Sequence, residues 1–421
     1  MKAELFEPLK FRPFRSLFSA QLFSDLGNWL DFIALQVIVA YHWGLDETAI
    51  AAVIITLGLP WIVFGPLASV IVDRLPKKQL MIICLFLRIM FIGGMFLAPN
   101  LYILLIFVFL KATASAIYDP ARQSMIRFTV PENYLPQAVT LSQLSGNSMK
   151  IIGPALGGGL IFLFGTKSPF LFEAAGFLIA ILFLLTLPNR DEKEYIAENK
   201  KRDDEHYWKE LLEGIKHISH TPLLKSSVIL SSVAFFIIFL YDGLFVFIAQ
   251  NLGFTKGNFG LLISAVGLGS VAGSLLIGFW TNWRRKPIHI MSGSFLVSGA
   301  LIIFMALGSM EIIQLPRSAW VIGAFFLGFM GSGESVPYGY ILQTETPKQL
   351  MGRVSAASTS LQTLSMLIAP ALGSLLAKWI GISFVLLGAG GATCLLGTFI
   401  LIFIVGKFTA LNDIHEKRFQ A

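Results

Sequence analysis

Apolar runs of about 18 to 26 residues recur along this chain, each long enough to cross roughly 30 Å of hydrocarbon as a helix. They fall near 14–40, 47–72, 79–98, 101–118, 136–164 and 168–188, then near 223–250, 258–282, 287–308, 319–341, 351–378 and 381–406. A soluble core could not hide that much apolar surface. Only 14% of the residues are charged and 55% are hydrophobic, whereas about a quarter of an ordinary soluble domain is charged. In lipid every backbone polar group must be satisfied within its own segment, which selects helices. The expected fold is an all-α membrane protein with twelve transmembrane helices in two pseudo-symmetric six-helix bundles. The expected division is 1–188, a polar linker at 189–222, and 223–421.

The charge pattern orients the chain. One set of gaps holds Lys2, Lys10, Arg12 and Arg15, then Arg74, Lys77 and Lys78, then Arg122 and Arg127, the linker, Arg284, Arg285 and Lys286, and Lys348 with Arg353. The other set holds only Lys167, Lys256, Arg317 and Lys378. By the positive-inside rule both termini and the linker are expected on the cytoplasmic side. The net charge of +7 is thus read as topology, and no nucleic-acid partner is expected. The basic N-terminus has no small-residue cleavage site behind it, so the first apolar run is read as a retained helix. Cys84 and Cys394 sit in apolar runs and make neither a disulfide framework nor a metal set. In the linker, Trp208, Leu211, Leu212, Ile215 and Ile218 recur at helical spacing, an amphipathic helix for the membrane surface or the helix ends. His217 and His220 lack a third ligand, and neither metal nor cofactor is expected.

The halves are related. "PENYLPQAVTLSQLSGNSMKIIGPALGGGL" (131–160) aligns without gaps on "PKQLMGRVSAASTSLQTLSMLIAPALGSLL" (347–376), and "GPLASVIVDRLPKK" (65–78) has a counterpart in "GSLLIGFWTNWRRK" (273–286). A repeat in parallel orientation fits two bundles around a central path.

Ionisable groups inside the spans are the functional candidates. A carboxylate at mid-membrane costs about 3 kcal/mol on insertion scales, so it faces a bundle interior or a wet cavity. In the first span Gln21, Asp25, Asn28 and Gln36 share a stripe of about 80° on a helical wheel, with Asp31 just beyond one edge. Arg88, Lys111, Lys150, Asp242 and Glu334 lie at depth in the third, fourth, fifth, seventh and tenth spans. Acid and base can offset one another there, or bind a proton. The structural alternative for each is an interhelix hydrogen bond that fixes packing.

"GPLASVIVDRLPKKQLMI" resembles the loop motif between the second and third spans of the major facilitator superfamily. Asp73, Arg74, Lys77 and Lys78 match it, while Ser69 and Pro76 stand where that family usually has Gly. The resemblance implies that Asp73 and its basic neighbours latch the cytoplasmic gate. "GPALGG" (153–158) resembles the fifth-helix motif of the superfamily's exporters through Gly153, Pro154, Gly157 and Gly158. Met149 replaces an upstream Gly, and close helix packing explains the same glycines. "DLGNWLDFIAL", Arg88 and "FLKATASAIYDPARQSMIRFTVPENYL" look like the macrolide-efflux and enterobactin-exporter branch, with Lys111 where the superfamily often has Arg.

The expectation is a monomeric secondary exporter of a bulky, partly apolar molecule, a drug or a siderophore, driven by inward proton flow through a lipid membrane. Asp25 and Asp31 would line its path, with Asn28, Arg88, Lys111, Asp242 and Glu334 completing the polar lining. An enzyme is disfavoured: there is no H-E-x-x-H, G-x-S-x-G or P-loop, and "GLGSVA" (267–272) lies in an apolar span with no strand before it. Unlike gates in the two halves fit alternating access better than a channel. A lysophospholipid flippase on the same fold is the alternative cargo reading.

Overall fold

Two helices of 30 residues, Leu135–Phe164 and Met351–Ile380, start and stop at matching positions of the repeat. Each ends at a glycine of positive φ, +91° at Gly165 and +92° at Gly381. That conformation is open to glycine at little cost and resisted by other residues. The N–H of each glycine closes on a carbonyl four residues back, Ile161 and Ala377. Each turn then leads into an 18-residue helix, Ser168–Leu185 or Ile382–Phe399.

The computed structural model describes residues 6–188, 204–347 and 350–405. In chain order the helices are α1 (Arg12–Val37), α2 (Glu47–Arg74), α3 (Lys77–Leu97), α4 (Leu101–Ile126), α5 (Leu135–Phe164), α6 (Ser168–Leu185) and α7 (Asp204–His220), then α8 (Pro222–Asp242), α9 (Phe245–Asn251), α10 (Lys256–Phe279), α11 (Pro287–Ser309), α12 (Arg317–Thr344), α13 (Met351–Ile380) and α14 (Ile382–Phe399). No strand occurs among the described residues. Among the described residues ten helices are long and apolar enough to cross a membrane, and shorter apolar stretches lie at Glu47–Trp61 in α2 and Ala155–Phe164 in α5.

The chain divides into two units. The first is Met1–Arg202 with Thr255–Ser264, the second Asp203–Phe254 with Ala265–Ala421. In the first, α1 packs against α5 and α6, and α4 against α2 and α3. In the second, α11 packs against α12 and α14, and α8 against α13.

Helix α6 shows how the apolar sequence sorts its faces. Phe170, Glu173, Phe177, Ala180 and Leu184 are fully buried, whereas Leu171, Leu178, Leu182 and Leu185 are exposed. The buried set recurs every three or four residues, one face of a helix. The exposed leucines need no protein cover where hydrocarbon is the solvent.

Helix α7, from the linker, packs on α13 and α8 within the second unit. Ile218 enters a core with Leu224, Val228, Val354 and Ala357, and Glu213 pairs with Arg353. Leu212 and Ile215 face outward. The side chains of Trp208 and Leu211 lie outside the described residues.

Candidate functional site

Every residue of the first helical span from Leu30 to Ala40 is buried, so α1 runs through the interior of its unit. This position lets the helix carry acids, because each can meet another helix instead of lipid. Asp31 on α1 pairs with Lys111 Nζ of α4. The same Nζ lies 2.5 Å from Glu173 Oε1 on α6. All three groups are almost wholly buried, at 1%, 3% and 0% exposure for Asp31, Lys111 and Glu173. One ammonium thus joins three helices.

Arg88 of α3 is fully buried beside this triad. It donates from Nη1 to Ser24 Oγ at 3.1 Å and from Nη2 to Asn28 Oδ1, both on α1. Its guanidinium lies 3.9 Å from the centre of the Phe177 ring of α6 and 5.5 Å from that of Tyr118 of α4. Ser24, Asn28 and Asp31 are spaced by four and three residues, one stripe of α1. Two acids, Asp31 and Glu173, and two bases, Lys111 and Arg88, share one interior. That balance is what a low-dielectric site requires, since a buried charge left without its partner costs about 3–5 kcal/mol.

Asp25 belongs to a second network, on the neighbouring stripe. Gln21 Nε2 donates to Asp25 Oδ2 at 2.9 Å and to the Ser142 carbonyl of α5 at 2.8 Å. Ser142 Oγ donates to Gln21 Oε1 at 2.7 Å and accepts from Arg122 Nη1 of α4 at 2.9 Å. Arg122 Nε lies 3.6 Å from Asp119 Oδ1. Opposite Asp25, α5 presents Gly146, where a Cβ would stand 3.6 Å from Oδ2. Asp25 keeps 8% exposure, against 1% for Asp31.

The remaining candidates separate. Lys77 is buried 5.6 Å from the centre of the Phe128 ring. Lys78 Nζ donates to the carbonyls of Leu185 at 3.2 Å and Leu187 at 2.5 Å, capping the C-terminal end of α6. Lys167 reciprocates from the start of α6, donating to Phe96 O near the end of α3 at 2.7 Å. The two helices are therefore fastened at both ends by lysines against helix C-termini, where cations are favoured. The side chains of Asp73, Arg74, Lys150 and Pro154 lie outside the described residues. Gly157 turns its bare face to the Leu30 carbonyl of α1, where a Cβ would come within 2.9 Å. Gly153 meets the Trp29 side chain, and Gly158 the Gly260 carbonyl in the same unit.

In the second unit Glu334 of α12 is half-buried and accepts from Ser298 Oγ of α11 at 2.8 Å. Asp242, half-buried, ends α8. Among the described residues neither has an ion pair, and no three His, Cys, Asp or Glu side chains come together as a metal site.

Sequence reasoning missed Glu173 as a site residue and took Arg122 only as a topological charge. Both left a signal. Glu173 is the sole ionisable residue between Ser168 and Pro188. Asp119 and Arg122 stand three apart in "DPAR", the spacing at which helical side chains meet.

The Major Facilitator Superfamily model matches residues 17–365 and, overlapping, 228–418. The MFS-type transporter YfiS of Bacillus subtilis (strain 168), named as uncharacterized, is 28% identical over 398 residues, covering 93% of this chain and 92% of that one. Macrolide efflux protein A of Streptococcus pyogenes is 22% identical over 367 residues, covering 83% and 86%. The crystal structure of the nucleoside transporter NupG shares the fold with a TM-score of 0.60 at 16% identity, covering 93% of this chain and 98% of that one. These relatives are transporters, not enzymes. With a helical membrane architecture, a repeated half and a family model matched over most of its length, this chain belongs to the Major Facilitator Superfamily.

Proposed function

We propose that this chain is a secondary active exporter of the bacterial cytoplasmic membrane, with both termini and the linker inside. It moves a bulky amphipathic molecule, a drug or a siderophore, outward in exchange for protons. The likeness to a macrolide efflux protein supports the cargo class, and the fifth-span motif supports export. The internal repeat supports alternating access. The observation that carries the proton reading is Asp25: a carboxylate in a spanning helix, held by an amide, that keeps 8% exposure where Asp31 keeps 1%. Proton and cargo must favour opposite-facing states, or nothing is moved uphill. Asp31, Asn28, Arg88 and Lys111 balance charge beside that group. Asp242 and Glu334 are the second-choice proton sites, in the second unit. Small-molecule cargo, protons and lipid are the partners, and one chain suffices because it supplies both units.

Proteoliposomes with an imposed pH gradient test this, using labelled erythromycin, a cationic dye and a catecholate siderophore as probes. The expected result is uphill movement of at least one probe, lost in Asp25→Asn while the variant stays folded and still exchanges the probe downhill. Undiminished uphill transport by Asp25→Asn would remove Asp25 from the coupling. Movement of labelled lysolipid alone would replace the cargo reading with a flippase. Asp73 and Arg74 are assigned to the cytoplasmic latch; Asp73→Asn slows turnover several-fold with probe binding unchanged, and normal turnover would dismiss the latch.

A further inference from the structure

Among the described residues Asp25 makes no ion pair with the buried guanidinium of Arg122. Between the Arg122 guanidinium and the Asp25 carboxylate stand two neutral groups, the Ser142 hydroxyl and the Gln21 amide, each donating or accepting at 2.7–2.9 Å. The chain runs from α4 through α5 to α1 and uses three helices to fix one carboxylate. At the far end of Arg122 stands Asp119, 3.6 Å from Nε, with 20% of its side chain exposed against 10% for Arg122. Arg122 is therefore shared. One edge of its planar fork faces the wetter acid, and the other holds the hydroxyl that orders the amide on the buried acid. A guanidinium stays charged under all working conditions, so what varies is how much of its field Asp25 feels. Building this arrangement around an acid that only packs would gain little, since a neutral side chain in place of Asp25 would need no such support.

We propose that Arg122 is a positioning residue that sets the charge of Asp25 through Ser142 and Gln21, with Asp119 as its second partner. The proposal rests on the reading of Asp25 as the proton-binding group. Among the described residues the charged groups around Asp25 are few. Arg122 and Asp119 face it from α4 and Arg88 from α3. Asp31 lies on the same helix and is paired with Lys111, Glu173 of α6 shares that lysine, and Lys10 bonds Glu7 in the short helix packed beside α1. Of the two groups that change the field at Asp25 from the same side, Arg122 favours the carboxylate and Asp119 opposes it. Removing them must therefore act in opposite directions, which a merely structural role would not produce.

Infrared difference spectra of the full-length protein in lipid, recorded across a pH series without any cargo, read this directly. The carboxylic-acid carbonyl band of Asp25 is the one lost in Asp25→Asn. Its half-point is expected to rise by about one pH unit in Arg122→Gln and to fall in Asp119→Asn, the size of shift that one nearby charge produces. Ser142→Ala keeps every charge and is expected to move it in the sense of Arg122→Gln by a smaller amount. Gel filtration and thermal unfolding check that each variant is folded, and Ser142→Ala serves where Arg122→Gln does not fold. The proposal is overturned if no Asp25-dependent band titrates, or if Asp119→Asn and the Arg122 or Ser142 variant leave the half-point where it is or move it the same way. Failure of wild-type protein to couple probe movement to a pH gradient, with these shifts present, would instead overturn the exporter reading and leave the network standing.

Discussion

The two units share one repeated helix pair, α5–α6 and α13–α14, of equal lengths, and have unlike interiors. In the first, α1, α3, α4 and α6 meet through charge: Lys111 between Asp31 and Glu173, and Arg88 against α1 and two aromatic rings. In the second, the pair α11 and α14 meets through bare backbone and hydroxyls. Ser292 Oγ donates to the Gly397 carbonyl at 2.7 Å, and Gly299 and Gly390 lie backbone to backbone. Carried forward, the register of the repeat sets Ala389, buried, where the first unit has Glu173. In the repeated helix pair, lengths and stops are preserved but polar content is not. Backbone geometry is held by glycines and apolar packing in both halves. The buried charges are an addition to one of them, each costly unless its partner came with it. The second unit's acid Glu334 is held by one serine hydroxyl, that of Ser298.

The largest test of this contrast removes the shared cation. Lys111→Met leaves two buried carboxylates face to face and is expected to cost about 3–5 kcal/mol, seen as a large fall in the thermal unfolding midpoint in detergent. Adding Asp31→Asn and Glu173→Gln to it should restore most of the loss. Wild-type stability of the single variant would mean that the triad does not hold the first unit together. A smaller effect compares packing. Gly373→Ala in α13 places a Cβ against the Leu240 backbone, and Gly157→Ala in α5 one against Leu30. Each is expected to cost about 1–3 kcal/mol by overpacking. Matching losses in the two would show that the units share their means of close approach; a loss in one alone would extend the contrast to the backbone. The smallest effect is Glu334→Gln, expected to change stability by less than about 1 kcal/mol, since Ser298 can donate to an amide oxygen as it does to the carboxyl oxygen. A loss as large as that of Lys111→Met would erase the difference between the halves.

Much of the fold was legible. The apolar runs, the polar linker and the gapless repeat foretold helices whose matching ends fall at Gly165 and Gly381, because helix length is set along the chain by apolar span and stop signal. Of the site, Asp25, Asp31, Arg88 and Lys111 stood out as ionisable residues in apolar runs. Their partnerships did not. Asp31 and Lys111 are 80 positions apart, and Asp25 and Asp31 looked equivalent in the sequence although one joins a hydrogen-bonded chain of neutral groups and the other a charged triad.

The sequence by itself determined that this protein lives in a membrane, how its helices are punctuated, and that its halves share an origin in one repeated pattern. Only the tertiary structure decided which buried acid meets which base. A helix surrounded by lipid and by other apolar helices is hydrophobic on every side, so its sequence carries little information on which face turns inward. That rotation is fixed by packing against helices far away in the chain, and it separated Asp25 from Asp31 and brought Glu173 to Lys111.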